Sequence, residues 1–325
     1  MQRTLQRRHL LTALAATTFL PGMSWAQGKP LRLVVPFPPG GATDASARAL
    51  IEPLSRLLGR PVIVDNRAGA GGSVGMAEAA RAAPDGAVLA VATLSTHGVN
   101  PAVYKKLPYD PIKDFVGVTE IVKAPGILVI NPAQVPGVSN FNEFVAYLKA
   151  NPGKLSYASP GNGTIGHLWG ELFKRATGTS MVHVPYRGSG PALNDVLAGQ
   201  VAAYFDQVIA ALPHVKSGKL RALAVSWNER LDVLPNVPTY AELGQAAINE
   251  PSWFGLVAPA ATPPAIVLQV QQAVAKALQD PEVRERLAGL GLFASGTTPT
   301  DFSAQIRREI AKFKQVAEAA HIELD

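Results

Sequence analysis

The chain contains no cysteine. Disulfides are therefore excluded in any compartment, and so are metal–thiolate centres. Charge is also sparse, at 17% of residues. Lysines and arginines are scattered, without the basic cluster or interleaved aromatics of a nucleic-acid surface. The first apolar run, Leu10 to Leu20, falls short of the ~20 residues that span a bilayer, and no later run is long enough. Beyond residue 26 histidine occurs only at 97, 167, 183, 214 and 321, with no pair at the i, i+4 spacing of a zinc protease. Gly188-Ser189-Gly190 has neither the spacing nor the preceding strand of a nucleophile elbow. Gly69-Ala70-Gly71-Gly72-Ser73-Val74-Gly75 carries Val74 where a dinucleotide fingerprint needs glycine, and the following strand ends at Thr93 instead of an acid. We expect no metal, no cofactor and no enzyme.

What is present begins with Arg3, Arg7 and Arg8, then the apolar run, then Ser24-Trp25-Ala26. Basic, apolar and small residues in that order read as a secretory signal, cleaved after Ala26. Arg7-Arg8 before Leu10-Leu11 leaves the Sec and twin-arginine routes both open. Cleavage lowers the formal net charge from +6 to +3, because three arginines and no acid depart. The remaining 299 residues exceed a typical single domain, and a composition of 47% hydrophobic residues can fill two cores.

Leu31 to Val35, Val62 to Val64 and Ala87 to Thr93 read as strands, separated by glycine loops and helices. This alternation predicts an α/β lobe with a parallel sheet covered on both faces. The first helix carries Ala47, Leu50, Ile51, Leu54, Leu57 and Leu58 on one face, is stopped by Gly59, and should kink at Pro53. Leu107 to Asp114 is turn-rich, and Gly126 to Asn131 is the next strand. A second series follows, with strands at Leu155 to Ala158, Met181 to Val184, Val201 to Phe205 and Leu220 to Val225. One last strand, Phe254 to Val257, and three helices close the chain; Phe302, Ile306, Ile310 and Phe313 line the last helix. A tail with a single strand makes a poor third domain, so we expect it to complete the first. Lobe 1 is then 27–125 with 250–325, and lobe 2 is 126–249. The two strands of a hinge cross near Ala124 to Asn131 and Glu250 to Val257.

Two segments carry the candidate chemistry. In PFPPGGATD, Gly40 and Gly41 let backbone approach a ligand, and Thr43 or Asp44 can cap the next helix. A helix start offers free N–H donors and a partial positive charge, so it holds a carboxylate without a basic side chain. YASPGNGTIGHLWGELF repeats this arrangement through Asn162, Gly163 and Thr164, with His167 one turn into the helix. Thr164 is expected to hydrogen-bond a ligand carboxylate directly. Ser95, after the third strand, joins the candidates. Asp206 ends an apolar run and, facing a carboxylate ligand, would need an ammonium, a hydroxyl or a water as partner. Arg187 could balance the ligand's charge.

VVPFPPGGATD, VDNRAGAGGSVG, NPAVYKKLPYDPIKDF, NPGKLSYASPGNGTIGHL, HVPYRGSGPALNDVLAGQV, LRALAV, LPNVPTYAELG and WFGLVAP together resemble the substrate-binding receptors of tripartite tricarboxylate transporters, the Bug receptors. The resemblance covers nearly the whole chain after residue 26. It implies a type II periplasmic binding protein fold, a periplasmic monomer, a small carboxylate ligand captured by domain closure, and membrane permease subunits as partners. Ligands in the family include dicarboxylates, citrate-like acids, acidic amino acids, nicotinate and aromatic carboxylates. It carries a binding role onto Phe37, Gly40, Gly41, Thr43 and Asp44, and onto Asn162, Gly163, Thr164 and His167. Pro38-Pro39 departs from the family's smaller residues and removes two N–H donors from the loop. A sensory partner of a membrane kinase is an alternative to uptake. An enzyme using His167 and Asp206 as acid and base is a further one.

The mature protein is expected to begin at Gln27; intact-mass spectrometry of periplasmic material that recovered Met1 to Ala26 would remove the export argument.

Overall fold

The computed structural model describes residues 29–320 and 322–325, so the export segment lies outside the described residues. β1 (Leu31–Val35) leads into two short helices, α1 (Ala42–Arg48) and α2 (Ile51–Leu58). The single helix expected there is interrupted at Ala49 and Leu50. Pro53 has no N–H to return to Ala49, and it falls in the first turn of α2, where no such donor is needed. Gly59, with φ +64°, ends α2 in the left-handed region. β2 (Val62–Asn66), α3 (Ser73–Ala80) and β3 (Val88–Thr93) follow, then a wide helical turn Ser95–Val99 that runs into α4 (Asn100–Val103).

β4 (Phe115–Ala124) is a ten-residue strand in a stretch between the turn-rich Leu107 to Asp114 and the crossing, to which the sequence assigned no element. The chain then passes through Pro125 into β5 (Gly126–Ile130), α5 (Phe141–Ala150), β6 (Ser156–Ser159) and α6 (Ile165–Thr177). After these come β7 (Val182–Pro185), α7 (Ser189–Leu197), β8 (Ala203–Gln207), α8 (Val208–Lys216) and β9 (Arg221–Ser226). The return comprises β10 (Ser252–Pro259), α9 (Pro264–Ala277), α10 (Pro281–Gly289), the two-residue β11 (Phe293–Ala294) and α11 (Pro299–Ala320).

Two sheets result, each the floor of one lobe. The first has the order β11-β4-β10-β3-β1-β2 and the second β7-β6-β8-β5-β9. The first sheet is mixed, not parallel throughout: β1, β2 and β3 are parallel, whereas β10 runs antiparallel between β3 and β4. The returning segment thus inserts into the middle of the first sheet and closes its core. In the second sheet β6 is parallel to β7 and β8, and β5 is antiparallel to β8 and β9.

Side chains fix the helices on these floors. α6 buries Ile165, Leu168, Trp169 and Phe173, and α11 buries Phe302, Ile306 and Phe313. Gly170 lets α6 lie directly on the ring of Tyr157 from β6, since a Cβ there would overlap that ring. Gly170→Ala is therefore expected to destabilise the protein by about 1–3 kcal/mol. Urea unfolding should read this as a lower midpoint with an unchanged m-value.

Candidate functional site

In each sheet, helices begin where parallel strands end. β1 delivers the chain to α1, β3 to the turn at Ser95, β6 to α6, β7 to α7 and β8 to α8. The facing edges of the two lobes are therefore lined by helix starts, where ligands of open α/β sheets bind. A cleft with about 340 Å³ of empty space lies between them. Its walls are Phe37, Gly41, Thr43, Thr93, Ser95 and Phe254 from the first lobe. The second lobe contributes Pro160, Thr164, Ile165, Gly166, Ser189, Asp206 and Gln207.

No lining side chain is cationic. The positive potential comes from the main chain. At α1, the N–H groups of Ala42 and Thr43 have no acceptor among the described residues, and the same is true of Gly166 in α6 and Ser189 in α7. Such first-turn donors, with the aligned helix dipoles behind them, suit a carboxylate. Ser95 Oγ already accepts the Ile165 N–H at 3.0 Å, across the lobes, so its own hydrogen remains available to donate.

The lobes touch at several points. Tyr104 donates its hydroxyl to the Asn162 carbonyl at 3.1 Å. A Cβ on Gly163 would come within 2.5 Å of the Tyr104 ring, and one on Gly188 within 2.7 Å of Pro38. Trp227 stacks on Phe293 at 4.2 Å between ring centroids.

Of the residues singled out from sequence, Phe37, Gly41, Thr43, Ser95, Thr164 and Asp206 line the cleft. Gly40, Asp44, Asn162, Gly163, His167 and Arg187 lie elsewhere. The Gly40 N–H is used by Asp44 Oδ2 at 2.9 Å. Asp44 also holds Arg48 at 2.8 Å and Asn66 at 3.0 Å, so its carboxylate is engaged in shaping the loop. Gly163 donates to His167 Nδ1 at 3.4 Å, and the His167 ring stacks on His183 at 4.1 Å, against the sheet. Burial holds both imidazoles below the ordinary histidine value, His183 at about 3. Arg187 is exposed. The Thr164 hydroxyl caps the helix by accepting from His167 N–H at 3.4 Å and gives its own hydrogen to Gly161 O at 2.7 Å, so a direct O–H bond to a ligand would replace the Gly161 bond and leave the cap in place.

Thr93, Pro160, Ile165, Gly166, Ser189, Gln207 and Phe254 were not singled out from sequence. Gly188-Ser189-Gly190 did carry a signal, since a glycine pair flanking serine at a helix start has the same pattern as the two loops singled out.

Asp206 is the one acid in the cleft. It is 1% exposed, and its Oδ2 accepts the Tyr204 hydroxyl. Oδ1 is buried with no partner. Burial pushes its carboxyl up to about 6, against the pull of the Ser189 and Tyr204 hydroxyls.

This is a two-lobe α/β fold of the periplasmic binding-protein type, with a cleft between the lobes. The chain belongs to the tripartite tricarboxylate transporter receptor family, whose model matches residues 46–322. It is 38% identical to protein BugT of Bordetella pertussis over 289 residues, 89% of this chain and 88% of that one. The periplasmic binding protein BugD superposes with a TM-score of 0.86 at 32% identity, covering 90% of this chain and 98% of its own. Rhodopseudomonas palustris Rpa4515, solved with adipate, is 34% identical with a TM-score of 0.87 over 90% and 98% of the two chains. MatC of the same organism, solved with malate, is 34% identical with a TM-score of 0.83 over 88% and 98%.

The Asp44 network gives a pH-dependent prediction. Burial alone would raise its carboxyl, but Arg48, the Gly40 N–H and Asn66 outweigh it and hold the value below the ordinary 3.8. A depressed folded value stabilises fully above the ordinary one and ceases to do so as pH falls through the folded value. Asp44→Asn is therefore expected to cost about 1–3 kcal/mol near pH 7, with the deficit shrinking as the pH drops from 5 to 2. Urea titrations of both proteins across that range check it, and a deficit constant with pH would assign the loss to shape alone.

Proposed function

We propose that this chain is an exported receptor that closes its lobes around one small carboxylate and delivers it, chemically unchanged, to the permease of a tripartite tricarboxylate-type transporter. The observation that carries the reading is the ring of unpaired helix-start N–H groups contributed by both lobes around a cleft without a cation. Relatives solved with adipate and malate support a small carboxylic acid as the ligand. Cleavage after Ala26 would release the receptor into the periplasm.

In this reading the lobes keep the bounds expected from the sequence, and the hinge is two short crossings. β4 ends at Ala124 and β5 begins at Gly126, leaving Pro125 as one crossing. The other lies at Glu250 and Pro251, just before β10. Rotation about two short crossings leaves both sheets intact. A ligand favours the closed arrangement only by binding it better than the open one, so it must touch both lobes. Against an enzyme stands the position of His167, which is packed on His183 away from Asp206's cleft.

A thermal-shift screen over carboxylates tests the binding. At 100-fold excess over Kd a ligand adds about 2.7 kcal/mol, and each kcal/mol should raise Tm by about 2–4 °C. Small-angle scattering tests the closure: the radius of gyration should fall on saturation, and an unchanged value with a stabilising ligand would reject domain closure.

A further inference from the structure

We infer, resting on the carboxylate-receptor reading above, that Asp206 selects for carboxylates that also carry a hydrogen-bond donor, an ammonium or a hydroxyl group, on the carbon chain. The cleft is built for one anion and already contains another. Its helix starts offer donors to the ligand's carboxylate, but they do not satisfy Asp206 Oδ1, which is buried and unpartnered. A buried carboxylate oxygen without a partner is costly, and no cationic side chain on the cleft wall offsets it. The Tyr204 hydroxyl is already spent on Oδ2, and the Ser189 hydroxyl and Gln207 N–H pull on the same carboxylate without closing a hydrogen bond to Oδ1.

The neighbours of Asp206 supply no hydrogen to Oδ1. β5 sets Ile127 opposite it, α6 brings Ile165 and Gly166 to the same wall, and α7 brings Ser189. From the first lobe come Thr43, Ser95 and the Phe37 and Phe254 rings. Among the described residues Tyr204 is the one titratable group in contact with it, and no ionised side chain lines the cleft beside it. With its carboxyl at about 6, Asp206 is mainly ionised near pH 7 when the cleft holds no ligand.

The consequence differs between ligand types. A donor-bearing carboxylate gives its hydrogen to Oδ1 and binds with the acid ionised. A plain dicarboxylate has no hydrogen to give, so Oδ1 would be buried ionised and without a partner, and Asp206 must take up one proton as the cleft closes. Its affinity should then fall about tenfold per pH unit above neutrality, because proton uptake is coupled to binding.

The test is calorimetry from pH 6 to 8.5 with sets matched in carbon number: succinate, malate and aspartate, then glutarate, 2-hydroxyglutarate and glutamate. The donor-bearing members of the set that binds should be preferred about 10- to 150-fold at pH 8, the range of a hydrogen bond to a charged group. Their binding should take up no proton, while the plain member should take up one, measured in two buffers of different ionisation heat. The hydroxyl and ammonium arms identify which donor is used. Asp206→Asn should erase the preference and favour the plain dicarboxylate, since the amide can donate to it.

Equal affinity of plain and donor-bearing ligands at pH 8 without proton uptake would overturn the inference, as would an Asp206→Asn protein that keeps the preference. If that variant does not fold, the wild-type proton count and pH slope decide alone. If no carboxylate in the panel stabilises the wild type, the receptor reading fails first and this inference with it.

Discussion

The first turn of an α-helix cannot bond its own N–H groups, and in this fold those turns converge on one gap. Parallel strands impose this. Each of β1, β6, β7 and β8 hands the chain to a helix at the same edge of its sheet, and the two edges face one another. An anion entering the gap meets fixed donors that are already oriented. No lysine or arginine has to be ordered around it, so the side-chain entropy such a clamp would lose is avoided.

The same geometry demands that the walls come close. Gly163 has φ +72°, and any side chain there would strike Tyr104 of the other lobe. Gly188, with φ +109°, stands against Pro38 in the same manner. Glycine at these two positions serves both the turn and the approach of the lobes. The hydroxyls of Ser95 and Tyr104 then bond from one lobe to the other, so polar contacts join the facing walls. Asp206 adds a different constraint inside it. It sets a buried acid beside the unpaired helix-start donors of the same cleft.

What the sequence determined by itself was local. The two glycine loops ahead of amphipathic helices, the stop at Gly59, the break near Pro53 and the apolar face of α11 are written in residues a few positions apart. So were six of the twelve candidate residues that line the cleft, because a loop between a strand and a helix start must lie at a sheet edge. The tertiary structure decided the rest. β4 was hidden because Thr119 and Glu120 interrupt its apolar run, and their partners, Thr297 and Gln305, lie 178 and 185 residues further along the chain. His167 points to His183 because the rotation of α6 is set by Leu168, Trp169 and Phe173 packing on the sheet, not by its distance from the loop. Asp44 turns to Asn66, which only the pairing of β1 with β2 brings near. Ser189 and Gln207 reach the cleft because β7, β6 and β8 lie side by side and in parallel, a consequence of sheet order that no local spacing encodes.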